Sequence, residues 1–301
     1  MKDERRATLF ALATVLLWST VASAFKLSLR HLAPVELLVY ATGCSTLVLG
    51  LLLVLQRKLL TALSGLRQSW GLALRLGVLN PLLYYLVLFK AYDLLPAQLA
   101  QPLNYTWAIT LSLLAVPLLG QAIGRRQWLA LVIGYGGVLV ITTEGKPWAL
   151  QFSDPLGVAL ALFSTVLWAL YWIFNTRDRR DPFVALFQNF LCGLPLVLLC
   201  WLLIGPVRRP PVEGLLGAAY VGAFEMGICY VLWLMALKKT DHAARIGNLI
   251  FLSPFLSLLL IHFLVGEEIL PSTFVGLALI VGGLALQNTG KPGGVSSAAA
   301  G

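Results

Sequence analysis

The chain has 301 residues, 59% of them hydrophobic and only 12% charged, with a mean hydropathy of +0.85. A water-soluble domain of this length cannot hide so much apolar surface, and long uncharged runs mark membrane spans. The net charge of +9 does not point to a nucleic-acid partner, because the basic residues sit in short turns between apolar runs rather than on one face of a domain.

In chain order the apolar runs predict ten spans, at 7–29, 35–55, 70–92, 96–119, 127–143, 155–176, 182–204, 213–236, 241–264 and 271–288. Pro34, Pro96, Pro155, Pro182 and Pro271 set boundaries together with the basic turns. The first run follows Lys2, Arg5 and Arg6 and reaches Ala22-Ser23-Ala24, imitating a cleavable leader. Its length, and the return of its Trp18 neighbourhood at Trp168, favour a retained first helix. The connecting turns are too short for a soluble domain, and residues 291–301, rich in Gly, Ser and Ala, read as a disordered tail.

Charge sets the orientation. With the N-terminus inside, fourteen Lys and Arg fall in cytoplasmic segments, and five (Arg30, Lys90, Lys146, Arg208, Arg209) fall outside. That asymmetry predicts an inner (plasma) membrane protein with both termini cytoplasmic. Cys44, Cys192, Cys200 and Cys229 lie inside apolar runs without metal-type spacing and read as buried small residues.

The second half copies the first. Trp18 matches Trp168 at an offset of 150, Tyr85 matches Tyr230 and Ala91 matches Ala236 at 145. Gly120 matches Gly266, and Gly136-Gly137 matches Gly282-Gly283, at 146. A five-helix unit repeated in a membrane must invert, which builds a midplane site that rocking can open to either side. The expected fold is an all-α polytopic membrane protein with ten transmembrane helices in two inverted repeats, at 1–150 and 151–290.

The stretch Tyr230-Val231-Leu232-Trp233, Ala236-Leu237-Lys238-Lys239, Ser253-Pro254, Gly266-Glu267-Glu268 and Leu279-Ile280-Val281-Gly282-Gly283 resembles the second EamA-type repeat of the drug/metabolite transporter superfamily. A fainter copy spans 77–137, where Gly120 is followed by Gln121 instead of Glu. The density of aromatics and this second turn look most like the YddG-type aromatic amino acid exporters. The resemblance implies a cavity surrounded by spans one, three, four, six, eight and nine.

Polar and aromatic groups halfway along those spans are expensive to leave in lipid. On this basis Tyr84, Tyr105, Trp107, Trp168, Asn80, Asn104, Trp18 and Glu225 are the candidate substrate-binding residues. Asn80 and Glu225 occupy equivalent places in the two repeats. The rings offer stacking or cation–π contacts, and Glu225 offers amine recognition, proton coupling or a structural hydrogen bond. Pro81 and Pro102 each remove a helical hydrogen bond, which either lines a cavity or merely kinks the packing. Tyr105 and Trp107 face apart on an ideal helix, so both reach one cavity only if the helix unwinds after Pro102.

Trp70, Trp128, Trp148 and Trp201 near span ends read as interface belt residues. Lys26, Glu36, Lys90, Asp93, Asp241, His242, Arg245 and His262 read as solvated, and Glu267 as a cap on span ten. The leading function is export of amino acids, preferably aromatic, with a broad drug or metabolite exporter as the alternative. An intramembrane hydrolase is disfavoured because no nucleophile turn accompanies the histidines. Absence of a Gly-rich Lys-Ser/Thr loop excludes ATP as the energy source within this chain. No metal, cofactor or catalytic residue is implied, and the internal duplication leaves a monomer in a lipid bilayer sufficient.

Overall fold

A computed structural model describes residues 3–120, 122–146, 148, 154–206, 208–240 and 243–288. They form ten rods: α1 Glu4–Leu29, α2 Pro34–Leu55, α3 Leu59–Leu94, α4 Ala97–Leu119, α5 Arg125–Thr142, α6 Pro155–Asn175, α7 Pro182–Ile204, α8 Val212–Leu237, α9 Ile246–Val265 and α10 Pro271–Asn288. Eight are long and apolar enough to cross a bilayer. Of the other two, α10 is a shorter apolar helix and α5 opens on Arg125 and Arg126. Large apolar side chains such as Leu47, Leu51, Leu202, Leu203 and Phe263 stand exposed around the bundle. A surface of that kind suits lipid and not water.

The punctuation read from sequence works as local chemistry. Asp154 and Asp181 cap helices that begin on Pro155 and Pro182, each accepting backbone N–H bonds from the first turn. Gly266 ends α9 at φ +81°, a left-handed conformation that side chains with a Cβ adopt at a cost. Gly137 and Gly283 let α5 and α10 approach backbone to backbone. A Cβ at either would collide with a carbonyl of the other helix.

The packing separates a centre from a rim. Helices α1, α8 and α9 pack together, α3 and α4 both pack on α6, and α1 also touches the outgoing part of α3. On the rim α5 pairs with α10, while α7 packs along α2 and α3. Four central helices are interrupted. The backbone of α3 is extended at Asn80 (φ −143°, ψ 112°) within a wide-turned stretch Val78–Leu83, and α8 carries a wide-turned stretch Val221–Ile228 around Glu225. Helix α4 breaks at Thr106, and α9 tightens over Leu249–Leu252 just before Ser253-Pro254.

Three expectations change. Helix α3 begins at Leu59, eleven residues before the expected span, because an amphipathic stretch carrying Arg67 continues the helix without being apolar enough to count as membrane. Lys26 and Glu36 are not solvated. Lys26 Nζ donates to the carbonyls of Tyr92 and Leu95 at 2.8 and 2.7 Å. Glu36, 1% exposed, pairs with Arg208 at 2.8 Å. The 291–301 tail, Asp241, His242 and the Arg245 side chain lie outside the described residues.

Candidate functional site

Six of the eight expected residues, with helpers from every central helix, meet in one region. The Tyr84 ring stacks on Trp168 with centroids 4.4 Å apart and planes 26° from parallel. Tyr84 also meets Tyr85 edge-on at 4.8 Å. Trp168 meets Tyr230 edge-on at 6.3 Å, and Tyr230 meets Trp18 at 6.4 Å. Tyr85 donates its hydroxyl to Glu225 Oε1 at 3.3 Å, and the Trp18 side chain lies alongside the same carboxylate. The contacts therefore close a ring, Glu225–Tyr85–Tyr84–Trp168–Tyr230–Trp18, drawn from α1, α3, α6 and α8.

Helices α4 and α9 complete it. Asn104 accepts from the Tyr84 hydroxyl at 3.4 Å and donates to Ser164 at 3.1 Å. The Tyr105 hydroxyl reaches Ser253, which is fully buried and also receives the Ser19 hydroxyl at 3.3 Å. The break at Thr106 does not bring Tyr105 and Trp107 to one partner. Tyr105 turns to α9, whereas Trp107 stacks on Trp172 of α6 at 6.4 Å.

Asn80 goes elsewhere. It is fully buried on the α6–α7 side, in reach of the Tyr171 hydroxyl and near Asn189. Trp107 likewise stands one ring further out, joined to the cluster through Trp172, which meets Trp168 edge-on at 5.9 Å. Sequence reasoning uses Tyr230 only as a repeat match to Tyr85, and Ser253 only as part of the family resemblance. Their mid-span polarity, at places equivalent to Tyr85 and near Thr106, was the signal for a site role.

The electrostatics are one-sided. Glu225 is half-buried, its Oε2 has no hydrogen bond, and among the described residues no Lys or Arg side chain pairs with it. A carboxylate at this depth is expensive unless a proton, water or a cation compensates it. Around it stand π-faces and neutral hydroxyl and amide groups, which suit a planar ring and a small ammonium rather than a phosphate. Among the described residues no group of three or more His, Cys, Asp or Glu is placed to hold a metal ion.

Comparison with known proteins agrees with this architecture. The sequence model of the EamA-like transporter family matches residues 5–143 and again 155–289. The chain is 28% identical over 285 residues to the aromatic amino acid exporter YddG of Ancylobacter novellus, covering 93% of this chain and 96% of that one. It is 25% identical to the uncharacterized transporter YvbV of Bacillus subtilis (94% and 92% covered). It is 27% identical to the inner membrane protein YtfF of Escherichia coli K12 (75% and 78%). A crystal structure 24% identical in sequence superimposes with a TM-score of 0.67 over 95% of this chain and 97% of that one, a likeness of fold.

Proposed function

The chain belongs to the EamA-like transporter family, and from that premise we propose that it exports aromatic amino acids across a bacterial inner membrane. One observation carries the reading: a chain of aromatic side chains is closed into a ring by a carboxylate that has no cationic partner among the described residues. In this reading the substrate's ring stacks near Trp168 and Tyr84, and its ammonium supplies the charge that Glu225 lacks. Trp18 and Tyr230 close the opposite wall. Neutral donors, Asn104 and the Tyr105–Ser253 pair, remain for the substrate carboxylate. Stacking and cation–π contacts of about 0.5–2 kcal/mol each give moderate affinity, which suits a carrier that must also release its cargo.

Access alternates as the two halves, 1–150 and 151–290, rock about this region. Both termini lie in the cytoplasm, which places the fourteen Lys and Arg of the inner segments on the retained side. The chain performs no covalent chemistry. The name of the Ancylobacter novellus relative supports the substrate class.

The test is counterflow in proteoliposomes loaded with tryptophan, phenylalanine, threonine or a cationic dye, with and without a pH gradient. Uptake of the aromatic amino acids above threonine and dye supports the proposal. Movement of the dye alone would transfer the protein to the drug exporters. A rate that follows the pH gradient would add proton coupling through the carboxylate.

A further inference from the structure

The Gly266-Glu267 turn does not cap the helix that follows it. Glu267 reaches across the bundle instead. Its Oε1 accepts the Ala97 N–H at 2.7 Å and its Oε2 the Gln98 N–H at 2.9 Å, so the carboxylate caps the start of α4 in the other half of the chain. Gln98 returns the favour. Its Oε1 accepts the Leu270 N–H at 2.9 Å and the Thr273 hydroxyl at 3.2 Å, capping α10, while its Nε2 donates to the Glu268 carbonyl at 2.7 Å. Lys26 sits beside the crossing, holding the last carbonyls of α3 and lying within electrostatic reach of Glu267. Gln98 is 6% exposed and Glu267 is half-buried, so the crossing is partly shielded from water, and the two bonds to the Glu267 carboxylate are charge-assisted.

The opposite end of the bundle carries other residues at the matching positions, and there the Glu4 carboxylate accepts the Thr240 hydroxyl at 2.9 and 3.1 Å. At the repeat offset of 146, Glu267 corresponds to Gln121 and Gln98 to Ala244. At the offset of 150, Lys26 corresponds to Thr176.

We propose that Glu267 and Gln98 are the outer gate: two crossed caps that fasten the α9–α10 turn to the α3–α4 corner and must part before the central site opens outward. This rests on the reading that the termini are cytoplasmic and that access alternates. With both caps made, the outer end of the bundle is closed.

The experiment places a cysteine at Ser253 in a chain whose four native cysteines are replaced. It follows the cysteine's reaction with a membrane-impermeant maleimide applied outside cells, or to the cytoplasmic face of inverted vesicles. Glu267→Ala removes two charge-assisted hydrogen bonds and should speed outside labelling about tenfold or more, while Gln98→Ala removes neutral side-chain bonds to Leu270, Thr273 and Glu268 and should speed it about threefold or more. Lys90→Ala removes an exposed ion pair at the same end and should not change it. Glu267→Gln, which keeps one acceptor, should fall between. Unchanged outside labelling in both Ala variants, with inside labelling intact as proof of folding, would overturn the gate. Labelling requires no substrate, so that result would leave the aromatic-substrate reading standing. Equal labelling from both faces in the unmodified background would instead defeat alternating access, and the gate with it.

Discussion

Asn80 and Glu225 stand at the same place in the two halves of the chain, 145 residues apart, and the backbone opens into a wide turn around each. Their surroundings differ. Asn80 is sealed between α6 and α7 next to Tyr171 and Asn189, while Glu225 presents a buried carboxylate to Tyr85 and Trp18. Duplication supplied the same backbone device twice, and divergence then put a charge at one copy. In the proposed function this gives a symmetric scaffold a direction for its ligand, because a carboxylate stands on one wall and an amide at the equivalent place. The ends of the bundle repeat the pattern, with Glu267 and Gln98 at one and Gln121 and Ala244 at the other.

The largest predicted effect comes from forcing the two copies to match. Asn80→Asp buries a charge whose nearest described cation, Arg180, is already held by Asp178 and by Asn189. It should lower the thermal stability of purified protein at pH 8 by about 2.5–3.5 kcal/mol. The reciprocal Glu225→Asn should leave insertion and melting temperature near wild type. Equal destabilisation by both would erase the distinction between the two copies. Next comes Glu225→Gln, which keeps shape and hydrogen bonding but removes the charge. A charged hydrogen bond of about 1.5–3 kcal/mol implies roughly a ten- to hundredfold loss in apparent affinity for zwitterions. Normal, pH-independent transport by this variant would assign Glu225 to structure alone.

Truncating the stacked wall is milder. Trp168→Ala and Tyr84→Ala should each weaken transport by a few-fold to about thirtyfold without preventing insertion. Trp201→Ala, on rim helix α7, should stay near normal in the same flux assay. The smallest effect tests a pair far from the site. Asp181 caps α7 and meets Lys58 at 2.7 Å. Burial raises its carboxyl, but Lys58 and the helix amides outweigh that and hold it below the usual range. Its contribution is therefore present above the ordinary carboxylate range and lost as pH falls through the lowered value. Asp181→Asn should cost no more than about 1 kcal/mol at pH 7 and nothing in strong acid, as read by melting temperature against pH.

The spans were legible because Pro, Gly and charge punctuate them, and α7 starts and stops where the sequence places it, at Pro182 and Ile204. The break in α3 was legible through Pro81. The matching break in α8 carries no proline, so only its equivalence to α3 could have flagged it. Glu267 was visible as a cap but not as a cap on α4, because a partner some 170 residues away is set by tertiary packing. Lys26 and Glu36 misled for a related reason: a charge near a span end reads as wet, until a helix terminus or Arg208 is found facing it. Sequence alone could list the aromatics. Which of them close a ring, and that Asn80 stays out of it, required the fold.

The central claim is that Glu225 holds the substrate's ammonium while the aromatic ring of the site holds its side chain. Its most direct test is counterflow of tryptophan against 3-indolepropionate, which keeps the indole and the carboxylate but lacks the amine, by wild type and Glu225→Gln. The account predicts that wild type prefers tryptophan by about tenfold or more and that Glu225→Gln loses most of that preference by transporting tryptophan poorly. Equal preference for tryptophan in both proteins would contradict it.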